Sequence, residues 1–295
     1  MCAQSATIPS TQALHDAEED TYRRLLEALT QFGSVLVAYS GGVDSSLLLA
    51  AAHDALGDKV LAVTATSPTY PGHERQAAIA LAQDLGVRHL LIESHELDDP
   101  TFQANPADRC YYCKRHLFVE LRAIAARESL AVVVDGANDD DRADFRPGRI
   151  AGREQEVRSP LMELGIGKDA IRQMARQRGL PNWDQPACAC LASRIPYGQA
   201  ITPERLNRVG AAEAAVRALG FRVLRVRDHG DIARIEIGRD ELTCIGDESL
   251  RDRIVAACVE QGYTFVCLDL MGYRTGAMNE ALPLEQIESF REVKP

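Results

Sequence analysis

Val35-Leu36-Val37-Ala38-Tyr39-Ser40-Gly41-Gly42-Val43-Asp44-Ser45-Ser46 runs from an apolar strand through a glycine turn into a helix. The strand delivers the chain to Ser40, and Gly41-Gly42 allow backbone conformations that cost other residues dearly. Amide hydrogens can then converge on an anion, reinforced by the dipole of a helix beginning near Ser45. Ser40, Ser45 and Ser46 add hydroxyl donors, and Asp44 is placed to hold magnesium directly or through water. A Gly-Gly pair alone would equally suit a structural bend. The full string Ser40 to Ser46 between strand and helix carries the reading as a nucleotide-phosphate loop.

Outward from this loop, strands are expected at Ser34 to Tyr39, Val60 to Thr64, His89 to Glu93 and Ala131 to Asp135. Helices are expected at Ser45 to Ala55, His73 to Leu85 and Tyr111 to Arg127, preceded by an amphipathic helix carrying Leu25, Leu26, Leu29 and Phe32. This alternation implies βαβ units, a Rossmann-like parallel α/β sheet covered on both faces, and ligands at the carboxyl ends of its strands. Periodicity fails over the polar stretch Gly136 to Gly148, resumes with a helix near Lys168 to Arg178, and fails again from Pro186 to Gln199. Beyond lie a helix Pro203 to Leu219, strands Arg222 to Arg227 and Ile232 to Ile237, a helix Ser249 to Gln261 and a strand Thr264 to Leu268, a smaller α+β unit. The expected division is 1–185 for the nucleotide domain, 186–199 for a cysteine-bearing active-site loop and 200–295 for a substrate domain, with residues 1–10 disordered.

The 295 residues carry a net charge of −10, which disfavours nucleic acid and membrane surfaces as partners and favours a small molecule. No run of about 18 apolar residues occurs, and Met1-Cys2-Ala3-Gln4 lacks the order of a secretory signal, so the cytoplasm is the expected location. The expected partners are a small-molecule substrate and further copies of the chain.

Four of the eight cysteines come in close pairs. Cys110 and Cys113 stand one helical turn apart at a helix start, where the dipole, Arg109 and Lys114 should lower their pKa and suit them to a metal or cluster. Burial as small apolar residues is the alternative. Cys188 and Cys190 alternate in a flexible segment and are poor core material; together with Cys110 and Cys113 they offer three thiolates to a [4Fe-4S] cluster, or one acts alone as sulfur donor. Cys244, Cys258 and Cys267 fall in apolar patterns and read as core. Arg225 and Arg227 alternate on one strand face and suit a phosphate, or else form a solvated face paired with Asp228 or Glu236.

The loop Ser40 to Ser46 lacks the Lys-Ser/Thr ending of a Walker A motif and resembles the PP-loop of enzymes that cleave ATP between its α and β phosphates and transfer AMP to an oxygen. With Asn105-Pro106-Ala107-Asp108-Arg109-Cys110-Tyr111-Tyr112-Cys113-Lys114, Gly136-Ala137-Asn138-Asp139-Asp140, Cys190-Leu191-Ala192-Ser193-Arg194-Ile195-Pro196-Tyr197-Gly198 and Gly272-Tyr273-Arg274, the chain resembles the LarE family from about Leu25 to Asn279. That family comprises ATP-dependent pyridinium-3,5-biscarboxylic acid mononucleotide sulfurtransferases. The resemblance implies adenylation of a pyridinium carboxylate and its conversion to a thiocarboxylate, for the nickel-pincer nucleotide of lactate racemase-type enzymes. It implies ATP and Mg2+ at Ser40, Gly41, Gly42, Asp44, Ser45, Ser46 and Gly136, and substrate at Arg194, Glu213, Arg225, Arg227 and Arg274. Cys190, Cys188 and Asp44 are the candidate catalytic residues. Some members sacrifice one cysteine as sulfur donor; the thiols here look more like the variant in which Cys110, Cys113 and Cys190 (or Cys188) hold a [4Fe-4S] cluster. A tRNA-thiolating PP-loop enzyme would share loop and cluster but needs a basic surface, and an amide-forming ligase would share only the loop.

Overall fold

The computed structural model describes residues 11–142, 146–186 and 189–283; the first ten residues, expected to be disordered, and Cys188 lie outside them. A long helix, α1 (Thr11–Phe32), precedes strand β1 (Val35–Ala38), which the phosphate loop joins to α2 (Val43–Leu56). Then follow β2 (Val60–Thr66), α3 (Gly72–Asp84), β3 (Arg88–Glu93), the short α4 (Pro100–Gln103), α5 (Arg109–Arg127) and β4 (Val132–Asp135). Three helices complete this half: α6 (Gly148–Glu154), α7 (Pro160–Glu163) and α8 (Lys168–Gln177).

The four strands form a parallel sheet in the order β3-β2-β1-β4. Val35, Leu36 and Val37 in the central strand are all buried, as both-sided cover demands, so β1 reads as an uninterrupted apolar run. On one face Val35, Val37 and Val60 pack with α1, α2, α3 and α8; on the other Leu36, Leu61 and Val133 pack with Phe118, Leu121 and Ile124 of α5. Leu47 through Ala52 of α2 are buried all round, which makes it an interior helix rather than a surface one. Because the chain runs outward from β1 in one direction and β4 returns on the other side, the crevice between the carboxyl ends of β1 and β4 is a topological switch point. The phosphate loop sits there.

The second unit consists of α9 (Pro203–Arg217), β5 (Leu224–His229), β6 (Ile232–Ile237), α10 (Glu248–Val259) and β7 (Phe265–Leu268). Its sheet runs β5-β6-β7, antiparallel then parallel. Strand β5 begins two residues later than expected, at Leu224, and its first five residues are buried on both faces, with Leu191, Ala192 and Ile195 joining the same core. A solvated arginine face on β5 is therefore ruled out. Of the three cysteines expected in this core, Cys258 is buried but Cys244 and Cys267 are exposed, on a helical turn and on the edge strand.

The two halves are fastened by Asn105, which is wholly buried in a left-handed conformation (φ 54°). Its amide nitrogen donates to the carbonyls of Ile195, Pro196 and Gln199 at 3.2, 2.8 and 3.0 Å, and its oxygen accepts from Arg109 Nη1 at 2.9 Å. Its own carbonyl accepts from Gly198 N at 2.9 Å. Asn tolerates this backbone where most residues do not. Asn105→Ala should lower unfolding stability by about 2–4 kcal/mol, since it strands buried carbonyls and keeps the strained backbone. Asn105→Gly, which relieves the strain alone, should recover only a minor part of the loss in a urea titration.

Candidate active site

Gly41 is left-handed (φ 72°), and a side chain there would meet Ala78 Cβ at 2.8 Å, so the turn under α3 requires glycine on two counts. Gly42 caps α2, whose first helical bond runs from Ser46 N to Gly42 O at 2.9 Å. The amides of Val43, Asp44 and Ser45 therefore have no preceding helical carbonyl and face the strand ends. The serines mostly brace this turn: Ser45 Oγ donates to Gly42 O at 3.0 Å and lies 3.1 Å from Ser40 Oγ. Ser46 is fully buried and receives Asn182 Nδ2 at 2.9 Å, and the same amide reaches Gly41 O at 2.8 Å. A side chain at Gly136 would stand 2.9 Å from Ser45 N, so the exit of β4 lies directly against the start of α2. Asp44 faces Lys168, the first residue of α8, whose Nζ lies 2.7 and 2.6 Å from its two carboxylate oxygens. Beside Ser40 a cavity of about 100 Å³ opens between Thr64, Tyr70, Lys114 and Leu117.

Cys110 and Cys113 occupy the first turns of α5, while Cys190 immediately precedes the helical turn Leu191–Arg194. Leu191 N donates to Thr69 O at 2.8 Å, which brings this loop over the end of β2. The three thiols act on one another electrostatically: Cys190 opposes ionisation of both Cys110 and Cys113. Depressed thiol pKa values, expected from the helix end, Arg109 and Lys114, are not what the structure gives. Burial is the largest influence at the half-buried Cys113 and pushes its thiol up; at Cys110, whose side chain is exposed, Arg109, Lys114 and Arg146 pull the other way. Buried Glu96 adds to the rise at Cys113; one of its oxygens accepts from Ser67 Oγ at 2.5 Å and Thr69 Oγ1 at 2.8 Å. Among the described residues no three His, Cys, Asp or Glu side chains stand close enough to hold a single metal ion.

Arg194, 1% exposed, grips Glu213 with Nε to Oε2 at 2.9 Å and Nη2 to Oε1 at 2.7 Å. Its remaining nitrogen donates to the carbonyls of Ala189 and Cys190 at 2.7 and 3.2 Å, so the cysteine loop hangs from this side chain. Burial works against the Glu213 carboxylate, but the Arg194 hydrogen bonds outweigh it and hold its pKa below the usual range. Arg225 and Arg227, both 5% exposed, lie beside this pair. Arg227 donates to Glu236 Oε2 at 2.7 Å and to Ser193 O at 2.9 Å. Arg225 stands 4.0 Å from Glu213 Oε1 and 5.1 Å above the Tyr273 ring. Burial lowers the Arg225 pKa, and the neighbouring Arg194 lowers it further. Arg194, Arg225 and Arg227 thus bring three buried guanidinium groups together with the buried carboxylates of Glu213 and Glu236. Arg274, by contrast, lies nearer the surface with Glu280 at 2.9 Å and Asp269 at 3.7 Å.

Sequence reasoning did not single out Lys168, Asn182 or Glu96. A glycine before Lys168 was the available sign of a helix start, but nothing in sequence pairs it with Asp44, 124 residues away.

A parallel sheet with this glycine-turn loop at its switch point defines a PP-loop ATP-using enzyme of the α/β class. The NAD synthase family profile matches residues 19–118. A pyridinium-3,5-bisthiocarboxylic acid mononucleotide synthase of Lactiplantibacillus plantarum is 39% identical over 90% of this chain and 96% of its own. An uncharacterized protein of Synechocystis sp. is 42% identical over 87% of this chain and 97% of its own. A glutamine-hydrolysing GMP synthase of Aeropyrum pernix is 28% identical, covering 62% of this chain and 39% of its own. The chain belongs to the LarE family. No helix among the described residues is long and apolar enough to cross a membrane.

In metal-free protein, the raised Cys113 thiol should be protonated at neutral pH. Alkylation of Cys113 by iodoacetamide should be slow at pH 7 and climb steeply toward alkaline pH, followed by peptide mass mapping. Rapid, pH-independent labelling would contradict the dominance of desolvation.

Proposed function

We propose that this chain is an ATP-dependent sulfurtransferase that adenylates the carboxylates of pyridinium-3,5-biscarboxylic acid mononucleotide and converts them to thiocarboxylates, a step toward a nickel-pincer nucleotide. The observation that carries it is the meeting, around Arg194, of the cysteine loop with the buried arginines of β5. Residues 1–185 would serve ATP, 186–199 the sulfur chemistry and 200–295 the mononucleotide, with copies of the chain associating into a homo-oligomer.

Chemically, a substrate carboxylate oxygen attacks the α-phosphorus and pyrophosphate leaves; sulfur then attacks the acyl carbon and AMP leaves. Adenylation is needed because hydroxide leaves poorly from a carboxylate. The amides at the start of α2 bind phosphate oxygens, and Asp44, which already holds a cation in Lys168, is fitted to magnesium. Magnesium, when bound, would neutralise phosphate charge. Arg225 and Arg227 anchor the mononucleotide phosphate, with Tyr273 beneath Arg225. Arg274 contacts the substrate from the rim.

We infer that the sulfur comes from a [4Fe-4S] cluster that Cys110, Cys113 and Cys190 (or Cys188) would hold. What supports this reading is that Cys190 acts electrostatically on both Cys110 and Cys113, so the three thiols share one neighbourhood. When bound, such a cluster would supply a replaceable sulfide. Arg194 then fixes the backbone of Cys190 toward α5.

Arg225→Ala and Arg227→Ala should each weaken substrate binding by about 1–3 kcal/mol while leaving ATP affinity nearly unchanged, read by calorimetry. Equal losses for both ligands would indicate a structural role instead.

A second test separates the sulfur sources. Anaerobic reconstitution with iron and sulfide should give iron-sulfur absorbance that is lost in Cys110→Ala and Cys113→Ala, and more than one sulfur transferred per chain. A chain that binds no iron and becomes about 34 Da lighter after turnover, the loss of hydrogen sulfide from one cysteine, would establish the sacrificial route.

A further inference from the structure

In this structure the carboxylate of Asp44 is occupied at both oxygens by one ammonium group. The contact is built from both sides. Lys168 opens α8, and its amide donates to Asp140 Oδ2 at 2.6 Å. A side chain on the preceding Gly167 would stand 3.3 Å from that same oxygen, so the α8 start is fitted closely to the loop leaving β4. Asp44 is the second residue of α2, at the helix end whose amides are open. The lysine stem therefore crosses from the β4 side of the switch point to the β1 side. The Lys168 and Asp44 side chains are 26% and 24% exposed, part-way out of water.

Two cations cannot share this carboxylate cheaply. A divalent ion bound by Asp44 would stand close to the ammonium, and repulsion there is poorly screened. Magnesium entry therefore requires the ammonium to leave. Its main chain is pinned by Asp140, but the four-carbon stem lets the head swing. The new negative charge nearest to it is the phosphate chain at the start of α2.

We propose that Lys168 is an exchangeable counter-ion: it neutralises Asp44 in the empty site, yields that carboxylate to the magnesium arriving with ATP, and moves to the departing pyrophosphate. The idea rests on the ATP reading above. In the transfer, the new bond joins a substrate oxygen to the α-phosphorus, and the bond from that phosphorus to the α,β-bridging oxygen breaks. The electron pair stays on pyrophosphate, where the N–H donors of Lys168 meet it.

Manganese(II) serves as the probe in ATP-free protein, with binding read from its paramagnetic resonance signal. Lys168→Met should bind the ion about tenfold more tightly than wild type, because a charge-assisted competitor is gone. The same variant should release AMP about a hundredfold more slowly at saturating ATP and resist inhibition by inorganic pyrophosphate. Lys168→Arg should restore part of each property, and circular dichroism should be unchanged throughout. Equal manganese affinity in Lys168→Met and wild type, or undiminished AMP release, would overturn the exchange. Should wild type itself release no AMP, the ATP reading fails, and the manganese titration alone still decides whether Lys168 competes for Asp44.

Discussion

Arg194 donates five hydrogen bonds from a position almost wholly removed from water, and the sulfur-bearing loop has its place because of them. Two go to Glu213 on α9, two to the carbonyls of Ala189 and Cys190, and one to Ser193 Oγ. Glu213 Oε2 in turn accepts from Val226 N at 3.1 Å, which locks α9 to β5. One ion pair thus sets the height of the cysteine loop above the second sheet. Removing either partner would leave an uncompensated buried charge, a loss of about 3–5 kcal/mol for pairs of this kind. A hydrophobic pair could pack the same space, but it could not hold two carbonyls and a sheet amide at once.

The pair also has a pH signature. Burial raises the carboxyl pKa of both Glu213 and Asp228, but their arginine partners outweigh it and leave both below the usual value. Their contribution to stability is therefore complete above the unfolded carboxylate pKa and is lost as pH falls through the lower folded value. Asp228 is held by Arg205 at 2.6 Å, Arg208 at 2.6 Å and Tyr263 Oη at 3.0 Å, so the second unit is guarded against mild acid at two separate points.

Short-range chemistry explains what could be read from sequence. The phosphate loop was legible because strand, glycine turn and helix are contiguous and each residue's part follows from local backbone geometry. The parallel sheet followed from alternation, and the cysteine pairs stood out through spacing. The direction of the thiol shifts was misread for the same reason: Arg109 and Lys114 are neighbours in sequence, while the protein mass that excludes water, along with Glu96 and Cys190, arrives from three other segments. The partners of Arg225 and Arg227 were partly legible. Glu236 was a named alternative and does bind Arg227, yet as a buried pair, because the cover provided by Leu191 to Ile195 and α9 is a tertiary fact. Asn105 lay within a quoted motif, but its work is done on residues 90 to 94 positions away.

Charge distribution separates the two halves of the crevice. On the phosphate-loop side Asp44 and Lys168 cancel, so the empty loop presents mainly helix amides to an incoming nucleotide. On the arginine side Arg194, Arg225 and Arg227 are held by burial beside Glu213 and Glu236. The overall charge of −10 does not oppose this. At physiological ionic strength fields from exposed acids fade within about 8 Å, whereas buried guanidinium groups act through protein and are screened far less. Under the proposed function, a mononucleotide bearing phosphate and carboxylates would meet these arginines at short range, where the distant acids count for little. ATP would be held on the other side, where a neutral pair must open before its metal can bind.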